Sequence, residues 1–202
     1  MANGKVIVGY SLPYVAKYSA ADNVVTYTLG QPMARGVSVD LKAEKGDDTN
    51  FYADNQIAET DGGVFTKGTA TLVVDGLKKA ARKMMQGLGE DETISVGSKQ
   101  VPLTVYNDDQ DQNTYIGIGF VIKYMESGVL SYTAVILTKA LVSPEGLQAA
   151  TKEDKTSFQT QSLEATIFRD DSAKHDWKKL AEDLTSESDA YDVIKAVLGT
   201  NA

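Results

Sequence analysis

Few residues in this sequence have both the type and the spacing to do chemistry. The single histidine, His175, lies beside Asp176 and Trp177, so a His-based triad or metal site would have no second imidazole to draw on. It follows the turn-forming Asp170-Asp171-Ser172 among charged residues and reads as an exposed surface side chain. Asp109-x-Asp111-x-Asn113 has the spacing that opens a Ca²⁺ loop. Thr114, however, stands where the sharp-turn glycine belongs and Phe120 where the bidentate glutamate belongs, so a polar turn is expected. Gly117-x-Gly119 has Ile122 in place of a third glycine and lies inside a strand-like run; it is not a dinucleotide fingerprint. Gly87-x-Gly89 follows a helical pattern instead of opening one. No P-loop and no G-x-S-x-G elbow occurs. Cysteine is absent, which excludes disulfides, thiol catalysis and Cys-held metals. A non-enzyme without a cofactor or metal is the expectation.

The elements that would carry these residues are mostly strands. From Thr114 to Leu141 the sequence reads as a hairpin. Ile116, Ile118, Phe120, Ile122 and Tyr124 fall at every second position, Glu126-Ser127-Gly128 makes the turn, and Leu130 to Leu141 is apolar on both faces. Ser157 to Phe168 is a third strand, and short connections would make the three a meander. Earlier, Lys5–Val8, Tyr14–Tyr18 and Val24–Leu29 read as separate short strands divided at Pro13 and at Ala21-Asp22-Asn23. Gly36–Lys42 and Val64–Val74 alternate as strands, and Ile94–Val96 and Val101–Tyr106 add short ones. A helix is expected from an Asp75 N-cap to a Gly87 stop, its apolar stripe Leu77, Ala80, Ala81, Met84 and Leu88 lying on a sheet and its basic face in solvent. Trp177–Leu184 fits strand or helix. Ser186, with Asp189 in capping-box position, starts a last helix with the stripe Ala190, Val193, Ile194 and Val197, ended by Gly199.

The 202 residues suffice for one sizeable core, and no linker divides them. No run of about 18 apolar residues suggests a membrane span, and Met1-Ala2-Asn3-Gly4-Lys5 lacks signal-peptide features, so folding in a cytoplasm is expected. A net charge of -8 argues against a broad grip on nucleic-acid phosphates. The charge is concentrated between Asp40 and Asp61, where seven acids face two lysines. Such a segment is a solvated loop or an extended hairpin reserved for a partner.

Two stretches carry a family resemblance. Thr49-Asn50-Phe51-Tyr52-Ala53-Asp54-Asn55 resembles a segment of the major tail proteins of long-tailed bacteriophages, particularly the non-contractile, siphovirus type infecting Gram-positive hosts. As in that family, it is followed by a Gly-rich turn (Asp61-Gly62-Gly63), a Thr-rich strand (Gly68–Val74) and a short helix (Leu77–Gly87). Lys155-Thr156-Ser157-Phe158-Gln159-Thr160-Gln161-Ser162-Leu163-Glu164-Ala165-Thr166 is similar to the family's late strand, and the capped helix Ser186–Leu198 to its C-terminus. The order of elements agrees from about Lys5 to Leu198. A helix-like Trp177–Leu184 departs from the strand the family has there.

The resemblance implies a single tail-tube domain over residues 1–202: a mainly β, antiparallel sandwich or partly closed barrel with one flanking helix and a short C-terminal helix. It implies a structural virion protein whose hexameric rings stack into a hollow tube conducting phage DNA into the host. Its partners would be other copies of itself, a tape measure protein, a tail-tip initiator and a tail terminator. DNA would pass without specific binding along a lumen fringed by carboxylates, no membrane would be entered, and assembly would take place in the host cytoplasm. The segment 44–57 is the expected assembly loop, with Glu44, Lys45, Gly46, Asp47, Asp48, Thr49, Asn50, Phe51, Tyr52 and Asp54 as candidate interface residues. The alternative is a ring-forming β-sandwich binding or adhesion module on a related scaffold.

Overall fold

Alternating apolar residues and two-residue turns build most of this chain into antiparallel strands. A computed structural model describes residues 4–107, 114–144, 146, 147, 149, 151 and 159–200. In chain order the elements are β1 (Val6–Ala21), β2 (Val24–Pro32), β3 (Gly36–Lys45), β4 (Thr49–Ala53), β5 (Gln56–Asp61), β6 (Phe65–Val74), α1 (Lys79–Met85), β7 (Glu92–Val96), β8 (Lys99–Leu103), β9 (Ile116–Glu126), β10 (Val129–Val142), β11 (Gln161–Phe168), β12 (Lys178–Leu184) and α2 (Glu187–Leu198). The Ca²⁺-like Asp109, Asp111 and Asn113 lie outside the described residues, as do residues 152–158.

The main sheet runs β2-β1-β9-β10-β11-β6-β3, and β12 also pairs with β10. Since β9 occupies one edge of β10, β11 and β12 share the other: β11 along Lys139–Val142, β12 along Tyr132–Leu137. The sheet curls until β3 comes back against β1, where a Cβ on Gly36 would sit 2.3 Å from the Tyr10 ring. The result is the expected mainly β, antiparallel sandwich.

Two cores flank the central strands. Inside the curl, Ile116, Ile118, Phe120 and Ile122 of β9 meet Leu72, Leu163 and Ile167, while Ala81 and Met85 of α1 close one end. On the outer face, Ala190, Ile194 and Leu198 of α2 pack on Val121, Ala134 and Ile136. Their i, i+4, i+8 spacing puts all three on one side of the helix, and each large aliphatic buried there contributes roughly 1.5–3 kcal/mol. The reason for Gly117 and Gly119 is here. A Cβ at Gly119 would lie 2.4 Å from Ile194 Cγ2, and one at Gly117 2.7 Å from Leu198 Cδ2. These glycines are the seat of α2, and β9 is buried on both faces, not on one.

Several expectations need correction. The expected strands Lys5–Val8 (from Val6 on) and Tyr14–Tyr18 belong to one strand, β1, which passes Pro13 by a bulge between Ser11 and Tyr14 with Leu12 at φ 52°. A bulge spares the ladder bond proline cannot donate. The link from β10 to β11 spans residues 143–160, so the meander has one short connection and one long. Asp75 does not cap α1. Its carboxylate accepts from the Arg35 amide at 2.9 Å and from the Arg35 guanidinium, and the helix begins only after Lys78, which has no side-chain cap. Gly87 does stop it: at φ 61° its amide reaches Met84 O and the next amide, of Leu88, reaches Lys83 O, a Schellman closure. Trp177–Leu184 resolves as strand β12. Ser186 caps α2, its Oγ accepting from the Asp189 amide at 3.0 Å, but Val197 of the expected stripe is exposed and Leu198 takes its place.

Candidate assembly surfaces

The acidic segment is a free-standing hairpin, β4 paired with β5, and none of its strand residues is buried. Asp54-Asn55 turns it, both residues at positive φ (53° and 61°), the loop that matches strand twist. At the tip end Tyr52 pairs with Ile57, and further down Asn50 Oδ1 accepts from Thr60 Oγ1 at 2.7 Å. A neck holds the hairpin to the sandwich. Gly46 N donates to Val64 O at 2.9 Å, and Asp48 Oδ1 accepts from Lys45 Nζ at 2.7 Å and from Gly63 N at 3.0 Å. Those two bonds, the lysine's first, hold the Asp48 carboxyl below its usual range. Gly63 permits the neck: a Cβ there would lie 1.9 Å from Gly46 O.

The ten candidate interface residues therefore fall in three settings. Glu44 and Lys45 end β3; Gly46, Asp47 and Asp48 form the neck; Thr49, Asn50, Phe51, Tyr52 and Asp54 reach outward on the hairpin. Charge pairing engages the end of β3 and the neck, through Lys67–Glu44 at 3.5 Å and Lys45–Asp48 at 2.7 Å. The outward part is not merely polar. Phe51, Tyr52 and Ile57 are 64%, 62% and 54% exposed, so the hairpin offers apolar surface inside an acidic frame.

A second exposed hairpin, β7–β8, is organised differently. Gly97, at φ 62°, opens its two-residue loop. Ile94 pairs with Val101, with Val96 and Leu103 on the same face and Thr93, Ser95 and Gln100 on the other. All four apolar side chains on that face are exposed. The hairpin is rooted by Asp91, whose carboxylate accepts from Lys79 (2.6 Å), Thr104 (2.9 Å) and Lys83 (3.2 Å). These partners, Lys79 foremost, pull its pKa to about 2. Lys79 and Lys83 of the basic helix face are thus engaged by the chain's own acid. Sequence analysis placed strands here but missed the face; the alternation of Ile94 and Val96 with Thr93 and Ser95 was its signal.

Where β3 nears β1, the two layers of the sandwich gape around a cleft of about 540 Å³. Ile7, Val37, Leu41, Ile122 and Leu180 line it, with Lys178 and Glu182 flanking Leu180 on β12. Burial pushes the Tyr10 hydroxyl's pKa up, and among the described residues that hydroxyl has no hydrogen-bond partner. Leaving such a group unsatisfied costs about 1–3 kcal/mol. Among the described residues β12 pairs with β10 alone, so its other edge is open.

The residues first weighed for chemistry sit elsewhere. His175 is exposed, at φ 55°, with Nδ1 3.2 Å from Asp170 O. Asp170 is buried, and its Oδ1 accepts from Ser172 N and Oγ, making the loop turn. Among the described residues no group of three or more His, Asp or Glu is placed to hold a metal, and no helix is long and apolar enough to cross a membrane. No protein-family model matches the chain, and neither does any curated protein.

Proposed function

We propose that this chain is the major tail tube subunit of a long-tailed, non-contractile bacteriophage, a structural protein that polymerises as stacked rings around a DNA-conducting lumen. The observation that carries the reading is the β4–β5 hairpin. It projects from an antiparallel sandwich with its aromatic residues exposed, at the segment whose sequence resembles the tail-tube family. A two-stranded hairpin in water is marginal by itself, so one tied at the neck and bare along its strands is suited to gain its cover from a neighbour. The succession of hairpin, Gly-rich turn, strand β6, helix α1 and capped helix α2 follows the order the family has. Subunits contacting head to tail close into rings or continue as helical arrays.

On this reading the partners are further copies of the chain, with a tape measure protein, a tail-tip initiator and a tail terminator at the ends of the tube. The net charge of -8 suits a lumen that lets DNA slide, since Lys/Arg contacts would release counterions and hold the strand. The virion tail is its place, with assembly in the host cytoplasm.

Negative-stain electron microscopy of the purified protein across a concentration series tests this. Hollow tubes or stacked rings are expected, and deletion within Gly46–Asn50 leaves a folded monomer that forms neither. Single rings that never stack, with saturable glycan binding, would instead mark a binding module. Tubes of normal length from the deletion variant would remove the hairpin from the assembly surface.

A further inference from the structure

We infer that the apolar face of β7–β8 docks into the cleft beside β12 of a second copy of this chain; the inference rests on the self-assembly reading and supplies it with a contact other than the β4–β5 hairpin. Among the described residues each surface lacks a counterpart within its own subunit. The hairpin face has Ile94, Val96, Val101 and Leu103 exposed, and the cleft is walled by apolar side chains.

Charge selects the occupant. On the hairpin face Glu92 and Lys99 stand at diagonal corners, since Glu92 pairs with Leu103 and Lys99 with Val96. Four residues along a strand and one strand across separate them by about 14 Å. On β12, Lys178 and Glu182 line the cleft on either side of Leu180, about 13 Å apart by the same rise. The spacings match and the signs are opposite. One placement sets Glu92 on Lys178 and Lys99 on Glu182, with Leu180 against Ile94 and Val101 between them. Lys178 Nζ is already positioned, 4.8 Å over the Trp177 ring.

The contact is through the face and not along the edge. Pro102, opposite Thr93, leaves β8 a donor short and disfavours a ladder with β12. Hairpin and cleft are distinct surfaces of one subunit. The hairpin springs from α1, whose C-terminal turn shares a pocket with Lys17 of β1, whereas the cleft is lined by Ile7 to Tyr10 of that strand. A contact between two different surfaces is heterologous and propagates. One such hairpin is smaller than a stable interface requires, so it acts together with β4–β5.

Charge reversal tests this in the full chain. Glu92→Lys with Lys99→Glu, and separately Lys178→Glu with Glu182→Lys, are expected to weaken self-association at least about tenfold in sedimentation velocity. Circular dichroism of each variant should match the parent. Combining all four substitutions restores association to within about threefold of the parent. Weakening without restoration, or no weakening in a parent that assembles, overturns the docking while the self-assembly reading survives. A parent that stays monomeric at every concentration, with and without added tail-tip initiator, overturns both.

Discussion

The hairpins β9–β10 and β4–β5 begin from the same local chemistry and end in opposite circumstances. Each turns through two residues at positive φ, Ser127-Gly128 in one and Asp54-Asn55 in the other. Each carries aromatic and β-branched side chains suited to strands. Yet β9 is buried along seven consecutive residues and β10 along six, whereas no strand residue of β4 or β5 is buried. Turn chemistry makes a hairpin; cover decides its stability and its use. The buried one is held by two cores. The bare one is tied down by a neck of three hydrogen bonds around Asp48 and Gly46.

The contrast can be broken hardest at the seat of α2. Gly119→Val drives a side chain into Ile194 and is expected to cost about 3 kcal/mol in urea denaturation, while Gly62→Ala beside β5, with nothing within 4 Å of its Cβ, should stay within about 0.5 kcal/mol. A similar small cost at both positions would erase the distinction. Removing the cap of α2 by Ser186→Ala should cost about 1 kcal/mol, read as a lower unfolding midpoint with an unchanged slope.

Acid sharpens the comparison from the other side. Asp48 and Asp91 have carboxyls lowered by their partners, so what they contribute is present above the unfolded carboxylate range near pH 4. It is lost as pH falls through the folded values, about 2 for Asp91. Between pH 4 and 2, amide exchange should quicken in β4–β5 and β7–β8 before it does in β9–β10; uniform loss of protection would contradict this. The smallest expected effect is that of Phe51→Ser with Tyr52→Ser. Unfolding free energy should move by less than about 0.5 kcal/mol, while on the tail-tube proposal tubes or rings should be lost from micrographs.

What was legible in the sequence follows the same division. The β9–β10 turn, the Ser186 cap and the Gly87 stop were readable because each depends on a few neighbouring residues. Asp75 was misread because its carboxylate is taken by Arg35, forty residues earlier in the chain, before the helix can use it. Pro13 looked like a break because the bulge that accommodates it depends on the partner strand β9. Gly117 and Gly119 lie inside a strand, and what they do there depends on Ile194 and Leu198, 75 or more residues further along the chain. At the candidate surfaces the acidic charge was visible. The exposed apolar faces and the β3–β12 cleft were not, because alternation fixes where side chains point and says nothing of whether a cover arrives.

The seating of α2 also has a consequence for synthesis. The helix that covers the outer face of β1, β9 and β10 is synthesised after every strand it covers. Even the sheet beneath it completes late, because Ala16 of β1 pairs with Gly117 of β9, a separation that slows closure. Until residues 187–198 emerge, Val121, Ala134 and Ile136 have no helix over them. A nascent chain at that stage offers neighbours an apolar sheet that docked α2 hides. Docking of α2 thereby sets the point in synthesis at which this apolar face is withdrawn from neighbouring chains.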